Sequence, residues 1–123
     1  MAYDPENIFA KILRGEIPNK TVFENDHALA FHDISPQAAQ HVLVIPKGPY
    51  IDMTDFASEA TADEQAGFLA ALGTVIKQLG LDKTGYRLIA NAGRDGRQEV
   101  PHMHVHILGG HDMGRMTDPA IRS

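Results

Sequence analysis

The sequence predicts an α+β domain of five strands and two helices, and three observations predict it. Residues 102–108, HMHVHIL, alternate between imidazole and apolar side chains, which is the period of a strand with one face buried. Residues 41–47, HVLVIPK, form a β-branched apolar run ending at Pro46, as expected of a well-buried strand. Phe68, Leu69, Leu72, Val75, Ile76 and Leu79 recur at helical spacing, so that segment reads as a helix facing a core.

The elements follow in chain order. Asp4 and Pro5 suggest an N-cap with proline at the first helical position, and Ile8, Phe9, Ile12 and Leu13 supply one apolar stripe before Gly15 stops the helix. TVFEN (21–25) and HALAFHD (27–33) then read as a strand hairpin turning at Asn25 and Asp26. SPQAAQ is a loop into the HVLVIPK strand. Thr61 and Glu64 stand in a capping-box pattern ahead of the long helix, which Gly80 terminates. GYRLIAN (85–91) and HMHVHIL (102–108) are the last two strands, separated by a glycine-bearing loop of a length suited to an antiparallel return. The tail from Gly109 has no periodicity and is expected to pack irregularly or fray.

With 123 residues, 43% of them hydrophobic, the chain suits one compact domain spanning 1–123. Sixteen acidic against eleven basic side chains give a net charge of -5, which argues against a broad grip on nucleic acid. The absence of cysteine excludes disulfides, thiol nucleophiles and thiolate metal sites. The N-terminus is charged throughout, and no apolar run approaches the ~18 residues of a membrane span. The expectation is a soluble cytoplasmic protein that contacts neither membrane nor nucleic acid.

On a strand, His102, His104 and His106 share one face and Met103, Val105 and Ile107 the other. The apolar set is expected against the long helix, leaving three imidazoles roughly 7 Å apart along the opposite face. Three readings fit that row. It is a metal site, in which alternate residues of the strand supply two ligands and His41 is the candidate third. It is a phosphorus-chemistry site, with one imidazole as nucleophile. Or it is a solvated sheet face with no task.

The segment HMHVHILGG resembles the histidine-triad (HIT) signature, in which three histidines alternate with apolar residues. NIFAKILRGEIP, AFHDISPQA, HVLVIPK, GYRLIANAG and DGRQEVPHMHVHILGG are similar, in the same order, to segments of the nucleotide-binding phosphoramidase branch of that family. The likeness spans residues 7–110 and leaves an irregular tail, 111–123, that departs from the family's usual ending. It implies a HIT-like five-stranded antiparallel sheet with two helices, assembled as a two-fold homodimer.

The resemblance also implies chemistry. The substrate is a purine nucleoside 5'-phosphoramidate, such as an AMP-lysine type, hydrolysed without cofactor or metal through a nucleotidyl-histidine at His104. His106 contacts the phosphate or leaving group, and His102 and His41 orient the nucleophile and move protons. Asp33 binds the ribose hydroxyls and Asn91 the phosphate region, while Ile8, Phe9, Phe31, Ile34 and Leu43 wall the base. Glu99 stands where vertebrate-like members have serine, which suits a cationic leaving amine or simply points to solvent. Pro101 stands where an aromatic is frequent. Arg94 and Arg97 are expected to be solvated, with a second phosphate or acidic substrate as their other use. A dinucleoside polyphosphate hydrolase of the same fold, a nucleotide-binding scaffold and a zinc module remain the alternatives.

Overall fold

The computed structural model describes residues 2–119. Helix α1 (Ile8–Leu13) precedes strands β1 (Thr21–Glu24), β2 (Ala28–His32) and β3 (Gln40–Pro46). Helices α2 (Met53–Glu59), α3 (Ala62–Gln78) and α4 (Leu81–Thr84) follow, then β4 (Tyr86–Ile89) and β5 (Val105–Gly109). The strands form one antiparallel sheet in the order β1-β2-β3-β5-β4. All five predicted strands and both predicted helices are present. Among the described residues, no helix is long and apolar enough to cross a membrane.

Alternation divides the sheet between two cores. Val42, Val44, Val105, Ile107, Ala28 and Ala30 meet Phe68, Ala71, Leu72, Val75 and Ile76 of α3 in one buried cluster. Leu29, Phe31, Leu43 and Ile45 meet Phe9 and Ile12 of α1 in a smaller cluster on the other face. Met103 joins the α3 cluster with Val105 and Ile107, as the alternation predicts. The register sets Leu43 opposite His106 and His41 opposite Leu108. The smaller core therefore has its floor directly beside His106.

Local chemistry explains most element ends. Thr61 and Glu64 form the predicted capping box on α3, and Gly80 takes φ +74 just after it, a left-handed value that glycine adopts without steric cost. Helix α1 starts later than predicted: Asn7 is its N-cap, its side chain accepting from the Ala10 N–H at 2.9 Å. Asp4 instead closes a preceding turn, accepting from Glu6 N–H through its carboxylate and from Asn7 N–H through its carbonyl. Helices α2 and α4 were not anticipated. Phe56 is the only buried residue of α2 and Leu81 the only one of α4, so neither element leaves an apolar period to read.

The triad segment also departs from expectation. Ladder pairing begins at Val105, so His102 and His104 precede the strand. Pro101 has no N–H to give a ladder, His102 N–H donates to the Val100 carbonyl, and Met103 N–H reaches the Tyr50 carbonyl at 2.7 Å. The tail is held rather than frayed over residues 113–115: the Arg87 guanidinium donates to the carbonyls of Met113, Gly114 and Arg115. Residues 120–123 of the predicted tail lie outside the described residues.

Candidate active site

A cavity of about 510 Å³ opens on the α1 side of the sheet, within the size range of small-molecule sites. Phe9 from α1, Phe31 from β2 and Leu43 from β3 make its apolar floor, with Ile8 at its edge. His41, His104 and His106 line it together with Asp33, Asn91 and Glu99. Ile34 borders it too, but is 95% exposed, so it stands at the mouth rather than in a packed wall. The loop after β2 carries it beyond the reach of the core.

His102 is the predicted site residue that this cavity does not include, although Phe9 meets both its ring and that of His104. His102 is fully buried. Its Nε2 lies 2.8 Å from the Pro46 carbonyl and its Nδ1 2.6 Å from the Tyr3 hydroxyl. A carbonyl only accepts, so Nε2 carries the proton and Nδ1 accepts from Tyr3. With both nitrogens engaged, His102 is not available to a ligand shared with His104 and His106. That leaves His104 and His106 as the strand histidines open to a ligand.

The same reasoning fixes the other rings. His104 Nδ1 lies 2.7 Å from the His102 carbonyl, so that nitrogen donates and the neutral ring keeps its lone pair on Nε2. Phe9 packs edge-on against this ring, with centroids 5.0 Å apart. His41 Nδ1 accepts from the Gln37 N–H at 3.0 Å, leaving Nε2–H to donate to His106 Nδ1 at 2.9 Å. A neutral His106 then presents Nε2–H. Asp33 Oδ2 stands 3.5 Å from His41 Nε2, and its Oδ1 accepts from Ser35 N–H at 2.7 Å.

Burial keeps these imidazoles neutral. It pushes His102 down to about 4, against a gain from the Pro46 carbonyl. His106 is also pushed down to about 4, by burial first and then by its neighbours His104 and His41. His104 and His41 are lowered mainly by burial, which Asp33 opposes in both, as does Glu99 at His104. A buried base resists protonation because the cation loses its hydration.

Asp33, His41 and His106 place one ligand atom each within 4.8 Å of one another. Their short side is the 2.9 Å hydrogen bond between His41 and His106. A tetrahedral zinc with bonds of about 2.0–2.1 Å would spread those nitrogens to about 3.3 Å and displace the shared proton. The donor set fits a hydrogen-bonded relay better than an ion.

A family profile described as the HIT domain matches residues 14–113. The chain belongs to the HIT family. An uncharacterized HIT-like protein of Azospirillum brasilense is 56% identical over 93% of each chain. A purine nucleoside phosphoramidase of Escherichia coli is 43% identical over 90% of this chain and 92% of its own. Among solved structures, a histidine triad protein from Clostridium difficile superposes with a TM-score of 0.81 at 38% identity, covering 94% of this chain and all of that one. The antiparallel sheet predicted from the resemblance is thus the sheet of HIT structures.

Several residues of this HIT site were not read from the sequence. Tyr3 supports His102 across 99 positions, and Gln37 fixes the His41 tautomer through its backbone. Neither carries a motif. Gln98 entered the resemblance only as part of the segment DGRQEVPHMHVHILGG, with no role of its own. Its side chain accepts from Gly93 N–H and donates to the carbonyls of Ile51 and Val100, so it braces the 93–100 loop against the cavity. Arg97 lines the cavity, whereas Arg94 is exposed and paired with Asp95.

Proposed function

We propose that this HIT protein is a hydrolase of purine nucleoside 5'-phosphoramidates that acts through a nucleotidyl-His104 intermediate. One observation carries the reading: the His102 carbonyl holds the His104 Nδ1 proton, so the Nε2 lone pair is the free one beside a nucleotide-sized cavity. The phosphoramidase activity named for the Escherichia coli relative supports the substrate class.

The steps balance as follows. The nucleoside occupies the apolar floor, Asp33 accepts from the ribose hydroxyls, and Asn91 meets the phosphate. A substrate protonated on the bridging nitrogen is attacked at phosphorus by His104 Nε2; the P–N bond to the amine breaks and that amine leaves neutral, keeping the proton. The positive charge that develops on His104 is stabilised through Nδ1–H on the His102 carbonyl. His106 Nε2–H donates to a phosphoryl oxygen, with its ring set by His41. Water then attacks phosphorus and the P–Nε2 bond breaks. One water proton stays on AMP, the other passes to the amine, and His104 returns neutral. His102, braced by Tyr3 and Pro46, positions the carbonyl rather than touching substrate.

A two-fold homodimer belongs to the same proposal. It is supported by the outer strand β4, whose Tyr86 and Leu88 are exposed, and its check is a solution mass twice that of the chain.

The experiment is turnover of adenosine 5'-phosphoramidate in EDTA, followed by AMP release and by intact mass after an acid-free quench. Wild type is expected to release AMP and show an adenylated protein, and His104→Ala to lose at least about 10³-fold in rate with no adduct. Recovery only with added zinc would overturn the mechanism.

A further inference from the structure

We propose that Arg97 selects leaving groups bearing an anion, a carboxylate or a further phosphate, next to the scissile bond. The inference rests on the phosphoramidase reading for where the phosphorus sits, and deepens it.

Charge is the first argument. The four histidines are held toward the neutral form, while Asp33 and Glu99 bring negative charge to the cavity. Arg97 is the one lysine or arginine among its lining residues. Among the described residues no carboxylate lies in ion-pair range of its guanidinium, although Glu99 is only two positions away. A permanently charged, unpaired arginine is suited to a bidentate grip on a carboxylate or phosphate.

Mounting is the second argument. Arg97 takes φ +54, the only positive value outside glycine among the described residues. A side chain there is strained, and such strain persists where the surroundings enforce it. Here they do. Arg97 N–H donates to the Arg94 carbonyl, Gln98 N–H to the Gly93 carbonyl, and the Gln98 side chain ties the loop to Ile51 and Val100. Gly96 is locked in the same turn, where an added Cβ would meet the Ala92 carbonyl oxygen at 2.5 Å. The backbone that carries the arginine is thus held at the rim, not on a loose loop.

Position selects the leaving group over the other parts of the substrate. Val100 packs with Phe9, Phe31 and Leu43, so the apolar end of the cavity takes the nucleoside. Glu99 lines the same cavity as His104, the residue proposed to attack the phosphorus. Arg97, exposed and two residues before Glu99 on the same loop, lines the cavity too, where an anion on the departing group is within its reach.

The test compares adenosine 5'-phosphoramidates whose amine is glycine or glycinamide, which differ in one carboxylate, and separately compares ADP with AMP in titration calorimetry. Arg97→Gln and Arg97→Gly are the variants, the second fitting the positive φ without strain. The expected result is a two- to fivefold fall in the glycine over glycinamide ratio of kcat/KM, on the order of an exposed ion pair. If the relevant anion is a phosphate instead, the fall appears in the ADP over AMP affinity ratio. Glu99→Gln is expected to move the ratios the opposite way. Unchanged ratios in both arms, or one common loss for every substrate and ligand, would overturn the proposal, the latter assigning Arg97 to the α-phosphate. An Arg97-dependent ADP preference without any turnover would instead sink the reaction and leave the arginine subsite standing.

Discussion

The two ends of the triad segment are equal in sequence and unequal in the fold. His102 and His106 each stand two residues from His104, yet His102 is sealed between Tyr3 and Pro46 while His106 lines the cavity and pairs with His41. The difference lies in backbone pairing. From Val105 onward β5 is clamped between β3 and β4, and alternation sends His106 to the cavity face. Before Val105 the chain bonds Tyr50 and turns His102 inward. A repeated motif thus yields a structural imidazole at one end and a working one at the other.

The largest effect that tests this contrast is in pH. His102 is pushed from 6.5 to about 4 by burial, so below pH 6.5 the unfolded chain takes up a proton that the folded chain refuses. Stability from this group is full above pH 6.5 and is lost as pH falls toward 4, by about 3 kcal/mol in total. Urea denaturation between pH 7 and 4 measures it, and His102→Leu is expected to flatten that part of the slope. An unchanged slope in the variant would remove His102 from its sealed position.

His106 is pushed down to about 4 as well and shares that acid slope, so at the other end the contrast is read in rate. His106→Leu is expected to lower kcat about a hundredfold, the scale of one lost donor to a charged transition state, with stability within about 1 kcal/mol of wild type. Comparable destabilisation of the His102 and His106 variants would erase the contrast. The smallest effect is Tyr3→Phe, which removes the hydroxyl on His102 Nδ1 and is expected to cost about 1 kcal/mol. Its kcat is expected to fall less than that of His106→Leu, because the Pro46 contact still holds the ring.

Much of the site was legible because it was carried by residue type and order. Phe9, Phe31, Leu43, Asp33, Asn91 and Glu99 were assigned from the family resemblance, and the fold gathers them around one cavity. Alternation placed Met103, Val105 and Ile107 against α3 before any coordinates. The same rule put His102 on the side of Phe9 with His104, but period two says nothing of depth, and Tyr3 and the Pro46 carbonyl seal His102 away from the cavity. Asp4 was misread as the α1 cap because two capping residues stand three apart, and only the geometry chooses Asn7. Arg94 and Arg97 looked alike as loop arginines, and their separation came from a turn whose hydrogen bonds no composition encodes.

By itself the sequence determined the fold class, the pattern of buried and exposed faces, and the identity of the groups that chemistry would need. These follow from local periodicity and side-chain type, which are properties of neighbours along the chain. Only the tertiary structure decided which nitrogen of each imidazole carries a proton, which histidine is sealed, and which arginine meets the cavity. Those depend on partners as far apart as Tyr3 and His102 or His41 and His106, and on burial that no single segment can produce.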